Sequence, residues 1–409
     1  MSTVRSRRIT ILMWLAGGLM LHGWAGGVMA SSGSPDNAAL LYYQASLNRS
    51  DLSIPEGFHS VLGGSDPGSE MLEFFRGDDY RLVIELTMAA TRIPRCDWGL
   101  WVSGQWSPGG VVISHLRPLV FLLTVHARML VAEGEYGGAI EAIAALRRFG
   151  RHLGDETYFT WVFSDAAEGE AFKVAQYLLG KAPPDADMLS RLESELADDK
   201  GPGWRPRQTL RKWCDMEVAS MRASIDRYSD WREAFLARLE ENSPRRKGDA
   251  AERLIENAAA PQDVLDPVQG TLTSLADSAV GVFESDASYH AKHEQIAQLF
   301  DKMVTESEAG DIFALAAGDI GFLEAYYRLH VNMLAHAHAV QAAIPIYRIR
   351  ATTGQLPRSL PVGLPKDPYS GEDFGYRVTD EGFSLICRGL AIRWSDDIKP
   401  RQFDFRVKE

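Results

Sequence analysis

A chain of 409 residues, 45% hydrophobic and 24% charged, carries enough apolar side chain for a large core, which excludes wholesale disorder and a many-span membrane protein. Its formal net charge of −12 argues against nucleic acid as a partner, because such binding rests on basic patches that displace counterions from phosphate. An acidic surface favours solubility instead.

At the N-terminus, Arg5, Arg7 and Arg8 precede a largely apolar run from Ile9 that ends in Val28-Met29-Ala30. This is the layout of a secretory signal cleaved after Ala30, and loss of its three arginines moves the formal charge from −12 to −15. Two alternatives stay open. Ser6-Arg7-Arg8 followed by Ile11-Leu12 is a loose twin-arginine pattern, and the run is nearly long enough to remain as an uncleaved anchor. Each places the rest of the chain outside the cytoplasm, periplasmic or extracellular, with membrane contact only through such an anchor.

Ala39, Leu40, Tyr43 and Leu47 recur at helical spacing and predict a helix over 37–47, after which the Gly-, Pro- and Ser-rich segment 51–68 reads as loop. Further helices are expected from Ser69, carrying Met71, Leu72 and Phe75, and over 80–90. The helical pattern breaks over 94–108, where Trp98, Trp101 and Trp106 fall within nine residues. Two readings apply: a platform that stacks on a sugar or peptide, or a loop pinned by burying its indoles. Of the three cysteines, Cys96 and Cys214 are the candidates for one disulfide in an exported protein; the other reading of all three, Cys387 included, is as small buried hydrophobes.

Residues 115–153 predict a helical hairpin, with Leu119, Leu122, Leu123, His126 and Leu130 in one apolar stripe and Ala139, Ile140, Ile143, Leu146 and Phe149 in the returning one. Gly134, Tyr136 and Ala139 sit at the spacing of a tetratricopeptide repeat's turn and second helix, and the hairpin resembles one such repeat. Another helix is expected over 158–179, with Ala166, Ala167, Ala171 and Ala175 permitting a close neighbour, then a short one capped by Asp187. Residues 200–206 read as a Gly/Pro linker. Helices follow over 208–241, 250–259, 264–283 (weakened at Pro267–Gly270) and 289–304, with 243–251 as the most exposed loop. The longest, 311–350, is apolar on more than one side, which predicts burial, and Pro345 predicts a kink.

His290, His293 and Glu294 form a metal-capable cluster on one helix but lack the zincin order. His330, His336 and His338 are spaced so that they fall on different faces. Glu306-Ser307 matches the catalytic pair of lytic transglycosylases without the segment that should follow it. No Gly-rich phosphate loop or nucleophile elbow is present, so no catalytic motif supports an enzyme.

From Ile344 the chain runs through Gly354, Pro357 and Leu360 to Leu364-Pro365-Lys366-Asp367-Pro368-Tyr369-Ser370-Gly371, then through a strand with Phe374, Tyr376 and Val378 and a second with Phe383, Leu385 and Cys387. This segment is similar to the C-terminal part of the major pseudopilins of type II secretion. The resemblance implies a helix feeding a small sheet and an acidic loop that can hold calcium, with Asp396 and Asp397 as its carboxylates. Arg388 and Arg393 occupy that loop where acids belong, and the long helical stretch before it is unlike a pilin subunit. With the Asn-Ala-Ala-Leu-Leu-Tyr-Tyr opening helix and the Cys-Asp-Trp-Gly segment, the whole chain resembles a group of bacterial envelope proteins without assigned activity.

The expectation is therefore a mainly α protein, an array of helical hairpins with a small C-terminal α+β module (β-hairpin or meander). Its regions are a signal over 1–30, helical regions over 31–200 and 201–343, and the module over 344–409. The expected function is that of an exported, non-enzymatic interaction or scaffold protein of the envelope with a protein partner there. The expected cofactors are none apart from calcium at Asp396 and Asp397. The rival reading is an envelope-polymer hydrolase that binds substrate through Trp98, Trp101 and Trp106.

Overall fold

The structure is a computed structural model, and it describes residues 36–390 and 400–407 apart from 51, 100, 103–104, 107–108, 155–157, 184, 198–205, 226–227, 243–248 and 309–321. The signal segment, the 200–206 linker apart from Pro206, the centre of the 243–251 loop, the start of the long helix, and Asp396 with Asp397 lie outside the described residues. The chain divides into Met1–Ser34 and one compact unit, Pro35–Glu409, and the boundaries expected at 200 and 343 fall inside that unit.

The protein is mainly α. Among the described residues the helices are α1 (Ala38–Arg49), α2 (Phe58–Leu62), α3 (Ser69–Arg76), α4 (Asp78–Thr91), α5 (Gly109–Glu133), α6 (Tyr136–Gly154), α7 (Tyr158–Lys181), α8 (Ala186–Leu196), α9 (Pro206–Ile225), α10 (Trp231–Asn242), α11 (Asp249–Asn257), α12 (Gln262–Glu284), α13 (Tyr289–Glu308) and α14 (Phe322–Thr353). Two short strands, β1 (Trp101–Val102) and β2 (Gln105–Trp106), pair as a small hairpin before α5. The helix expected over 208–241 is two, α9 and α10, broken around Asp230, whose side chain accepts from the Arg232 amide at 3.0 Å. α8 is capped by Asp185, which accepts from the Met188 amide at 2.7 Å, rather than by Asp187. Helices α12 and α14 continue through Pro267 and Pro345.

The centre of the body is the α5–α6–α7 stack. α5 ends in Gly134 at φ +81°, with Glu135 N–H donating to the Leu130 carbonyl and Gly134 N–H to that of Val131, the Schellman closure that lets the chain reverse into α6. α6 is buried on most of its circumference because α5 and α7 flank it, which is why its alanines alternate with Ile140, Ile143, Leu146 and Phe149. Ala167, Ala171 and Ala175 are fully buried on α7, and the absence of bulk there lets α7 contact both α6 and α14. The segment His115–Glu133 of α5 is long and apolar enough to cross a membrane by length and composition; 61% of it is buried inside the protein, as befits a core helix.

The C-terminal module is a three-stranded antiparallel sheet in the order β3 (Gly375–Thr379), β4 (Gly382–Leu390), β5 (Pro400–Arg406). Phe383 pairs with Phe405 and Leu385 with Phe403 across the ladder, so the buried face is made by β4 and β5, while Val378 on β3 is half exposed. The module is fastened along α14. Tyr369 donates its hydroxyl to Asn332 Oδ1 at 2.5 Å, Arg401 donates to the same oxygen at 2.8 Å, His338 Nδ1 bonds the Lys366 carbonyl at 2.7 Å, and the Tyr347 hydroxyl donates to the Arg406 carbonyl. α7 joins this contact through Gln176, which donates to the Asp404 carbonyl at 2.7 Å. The sheet thus lies against the body over several helical turns.

Candidate functional site

Trp98 belongs to the core. It is 3% exposed, stacks on Tyr42 with centroids 5.2 Å apart, and donates its indole N–H to the His152 carbonyl at 2.6 Å. Tyr42 stacks in turn on Phe149 of α6, so this indole ties the loop to α1 and α6. Trp101 and Trp106 face one another as cross-strand partners in β1 and β2, and their side chains lie outside the described residues. Among the described residues no disulfide is formed. Cys96 is half-buried beside Tyr42, whereas Cys214 is buried on α9 with Asp277 of α12 nearby, so the two candidates for a bond face different neighbours. Burial, followed by the charge of Asp215, pushes the Cys214 thiol up to about 12.

His293, His330 and His336 each have their own partner. His293 bonds Glu324 Oε1 on α14 at 2.5 Å, and that bond holds the Glu324 carboxyl below the ordinary range. Glu294 is exposed. His330 Nδ1 bonds Asp165 Oδ2 at 3.0 Å, and His336 bonds Gln176 Oε1 at 2.7 Å and stacks on Phe403. Among the described residues no three His, Cys, Asp or Glu side chains converge as a metal site requires.

A buried polar cluster lies where α6, α7 and α14 meet. Glu168, 8% exposed, sits near Arg147, Asp165, Arg151 and His330, and its Oε1 has no hydrogen-bond partner among the described residues. Desolvation dominates over the nearby cations and raises its carboxyl to about 7. These groups are enclosed by helices and do not line a described cavity.

The strongest candidate site lies on the other side of α7. A cavity of about 410 Å³ opens between the turn after α2, α5, α7 and β5, lined by Asp66, Arg128, Lys173, Tyr177, Lys181 and Arg406 among others. Arg128 is 5% exposed, its guanidinium carbon lies 4.5 Å from the centroid of the Tyr177 ring, and its Nε and Nη1 are buried without a hydrogen-bond partner among the described residues. Burial lowers its affinity for its proton, and the nearby Tyr177, Glu170 and Asp66 only partly offset this. Asp66 is already engaged: Lys181 at 2.8 Å and the Tyr177 hydroxyl at 2.7 Å both donate to it, and these bonds hold its carboxyl below the ordinary range. Arg128 forms no ion pair among the described residues: its charge, kept at any physiological pH, feels Glu170 and Asp66 nearby without bonding either, and its Nε and Nη1 are enclosed by protein.

No family model, curated protein or solved structure matches this chain. The site therefore rests on its own chemistry. Lys173, Lys181 and Arg406 each pair with an acid, yet with Arg128 the cations in the lining outnumber Asp66 and Asp404, and this excess suits a compact oxyanion, since charge-assisted bonds to carboxylate or phosphate are about twice as strong as neutral ones. Helix spacing alone does not reveal it. The available signal was Arg128 itself, the single charged residue in the apolar run 118–132. An arginine there either snorkels to the surface or faces a cavity, and sequence does not distinguish the two.

Proposed function

We propose that this chain is an exported, non-enzymatic interaction protein of the bacterial cell envelope, and that the Arg128 pocket is where it recognises a ligand bearing a phosphate or carboxylate group. The observation that carries the reading is a cavity of about 410 Å³ in whose lining four cations, Arg128, Lys173, Lys181 and Arg406, outnumber the carboxylates of Asp66 and Asp404. Like charges gathered in one lining repel one another, and a bound oxyanion would offset that repulsion. The hydrolase reading draws less support, because Trp98, the first of its three substrate-binding tryptophans, is committed to the core.

Inorganic phosphate tests the pocket. At constant ionic strength set with chloride, phosphate is expected to raise the melting temperature of the wild-type protein saturably, and Arg128→Met is expected to abolish the rise while melting no lower than wild type without ligand. A rise that persists in Arg128→Met, or that never saturates, removes the pocket from the proposal. Export is tested separately: the intact mass of protein recovered from the envelope fraction is expected to correspond to a chain beginning at Ser31 or, for an uncleaved anchor, to the full chain held in the membrane. Recovery only from the cytoplasm defeats that part.

A further inference from the structure

A second cavity, of about 480 Å³, lies on the face of α6 that meets α4 and α8, and it is lined by Arg92, Glu141, Ala144, Arg148, Arg191 and Glu195. Arg92 caps the end of α4, Arg191 and Glu195 belong to α8, and the other three belong to α6. On α6, Gly137, Glu141, Ala144 and Arg148 follow one another at steps of three or four and form one straight stripe. Ala144, 4% exposed, is its floor. At one end of the stripe a Cβ on Gly137 would lie 3.3 Å from Arg191 Nη1, so the guanidinium rests against the helix where a side chain is missing. Glycine inside a helix is less stable than alanine, and room for Arg191 is what it provides here. At the other end Arg148 is half-buried with its Nε enclosed by protein. Gly137 and Arg148 are about 16 Å apart along the helix axis, and because helical side chains lean toward the N-terminus the two guanidinia are separated by roughly 11 Å along the stripe. The lip is fixed: the Glu195 carbonyl accepts from Arg147, the Leu196 carbonyl accepts from Gln341 of α14 at 3.1 Å, and Arg348 donates to Glu193 at 2.7 Å. The charges of the lining are only partly paired. Arg92 donates to Glu141 Oε1, whereas Arg148, Arg191 and the Glu195 carboxylate form no hydrogen bond or ion pair among the described residues.

We infer that this cavity binds a small zwitterion with two carboxylates and one ammonium, the charge pattern of an acidic amino acid. The carboxylates meet Arg148 and Arg191, whose planar guanidinium forks match them, and the ammonium meets Glu195. Each guanidinium-to-carboxylate contact takes up about 3 Å, which leaves room for a spacer of roughly three carbons, as in glutamate. A simple dianion would leave Glu195 unpaired, and a monocarboxylate would leave one arginine so. Only a ligand with all three groups gives every charge of the lining a partner. The cavity shares no lining residue with the Arg128 pocket, and neither reading depends on the other.

The test compares L-glutamate, L-glutamine and glutarate by calorimetric titration of the purified protein at constant ionic strength. L-Glutamate is expected to bind about tenfold or more tightly than either analogue, since each analogue lacks one charge-assisted bond. Arg191 is exposed, so Arg191→Gln should fold, and both it and Arg148→Gln are expected to weaken glutamate by about tenfold or more. Glu195→Gln is expected to bring glutamate down to the affinity of glutarate. Equal affinities for the three probes, or glutamate binding that survives both arginine substitutions, overturns the inference. Glutamate binding that is lost in Arg128→Met but indifferent to Arg148→Gln and Arg191→Gln also overturns it, by assigning the ligand to the other cavity.

Discussion

Asp367→Ala is expected to lower the unfolding free energy by about 4 kcal/mol, because each buried donor left without an acceptor costs about 1–3 kcal/mol. Asp367 is fully buried at the start of the Asp-Pro-Tyr-Ser-Gly turn. One carboxylate oxygen accepts from the Tyr369 amide at 3.0 Å; the other accepts from the Ser370 hydroxyl at 2.7 Å and from the amides of Arg388 and Gly389 at 2.8 and 2.9 Å. The side chain thus joins the turn to β4, the middle strand of the sheet. The approach is close: a Cβ on Gly389 would lie 2.4 Å from Tyr369 Cβ, so the strand and the turn cannot separate without losing these bonds. Losing them also loosens Tyr369, whose hydroxyl fastens the module to Asn332 of α14. Asp367→Asn separates geometry from charge. It keeps one acceptor for the Tyr369 amide but turns an NH2 toward the amides of Arg388 and Gly389, so it is expected to cost nearly as much as alanine. Urea-unfolding midpoints decide the matter. A loss under about 1 kcal/mol for the asparagine variant would show that the second oxygen contributes little.

The second large effect is a pH dependence with two opposed components. Burial lowers His126 to about 4, with Glu133 opposing weakly, and lowers His336 to about 3, with Arg401 and Lys173 adding to the effect. In the unfolded chain both would titrate near 6.5, so between pH 6.5 and 4 the unfolded state holds two more protons than the native one. Stability from these neutral histidines is therefore full above pH 6.5 and is lost as pH falls toward 4 and 3. Glu168 acts in the other direction. Its native carboxyl is raised to about 7 from an ordinary 4.5, so the native state holds the extra proton and stability falls as pH rises from 4.5 to 7. Between pH 4.5 and 6.5 the balance is one proton in favour of the unfolded state, and stability should rise by about 1.4 kcal/mol per pH unit. Glu168→Gln removes the opposing component and should steepen the rise to roughly 2.7 kcal/mol per pH unit, and it should leave the protein about 3 kcal/mol more stable at pH 8. Chemical denaturation at several pH values reads both slopes. Unchanged slopes in Glu168→Gln would show that this carboxyl is not buried as a neutral acid.

The helices were legible because their causes are local. Gly134, the apolar stripes of α5 and α6 and the alanine series on α7 specify a hairpin and a close neighbour without reference to distant parts of the chain. Strand β4 was legible for the same reason, through the alternation of Phe383, Leu385 and Cys387. Strand β5 was harder: Phe403 and Phe405 acquire their meaning only when they pair with Leu385 and Phe383. The break at Asp230 was missed because the helical pattern resumes in phase on both sides of it.

The functional candidates divide along the same line. From sequence Trp98 admits both a ligand platform and a buried loop anchor, and what buries it is Tyr42 and Phe149, which are about fifty residues away on either side. Arg128 meets Asp66, Lys181 and Arg406 only because the turn after α2, α5, α7 and β5 converge, and the excess of cations over carboxylates in that cavity is a property of the convergence. Composition, periodicity and turn chemistry were thus enough to determine a mainly α chain with a small closing sheet, since helix and turn energetics act over a few residues. Which polar groups lie buried, which of them lack partners, and which charges line one cavity are sums over contacts distant in sequence, and those only the tertiary structure decided.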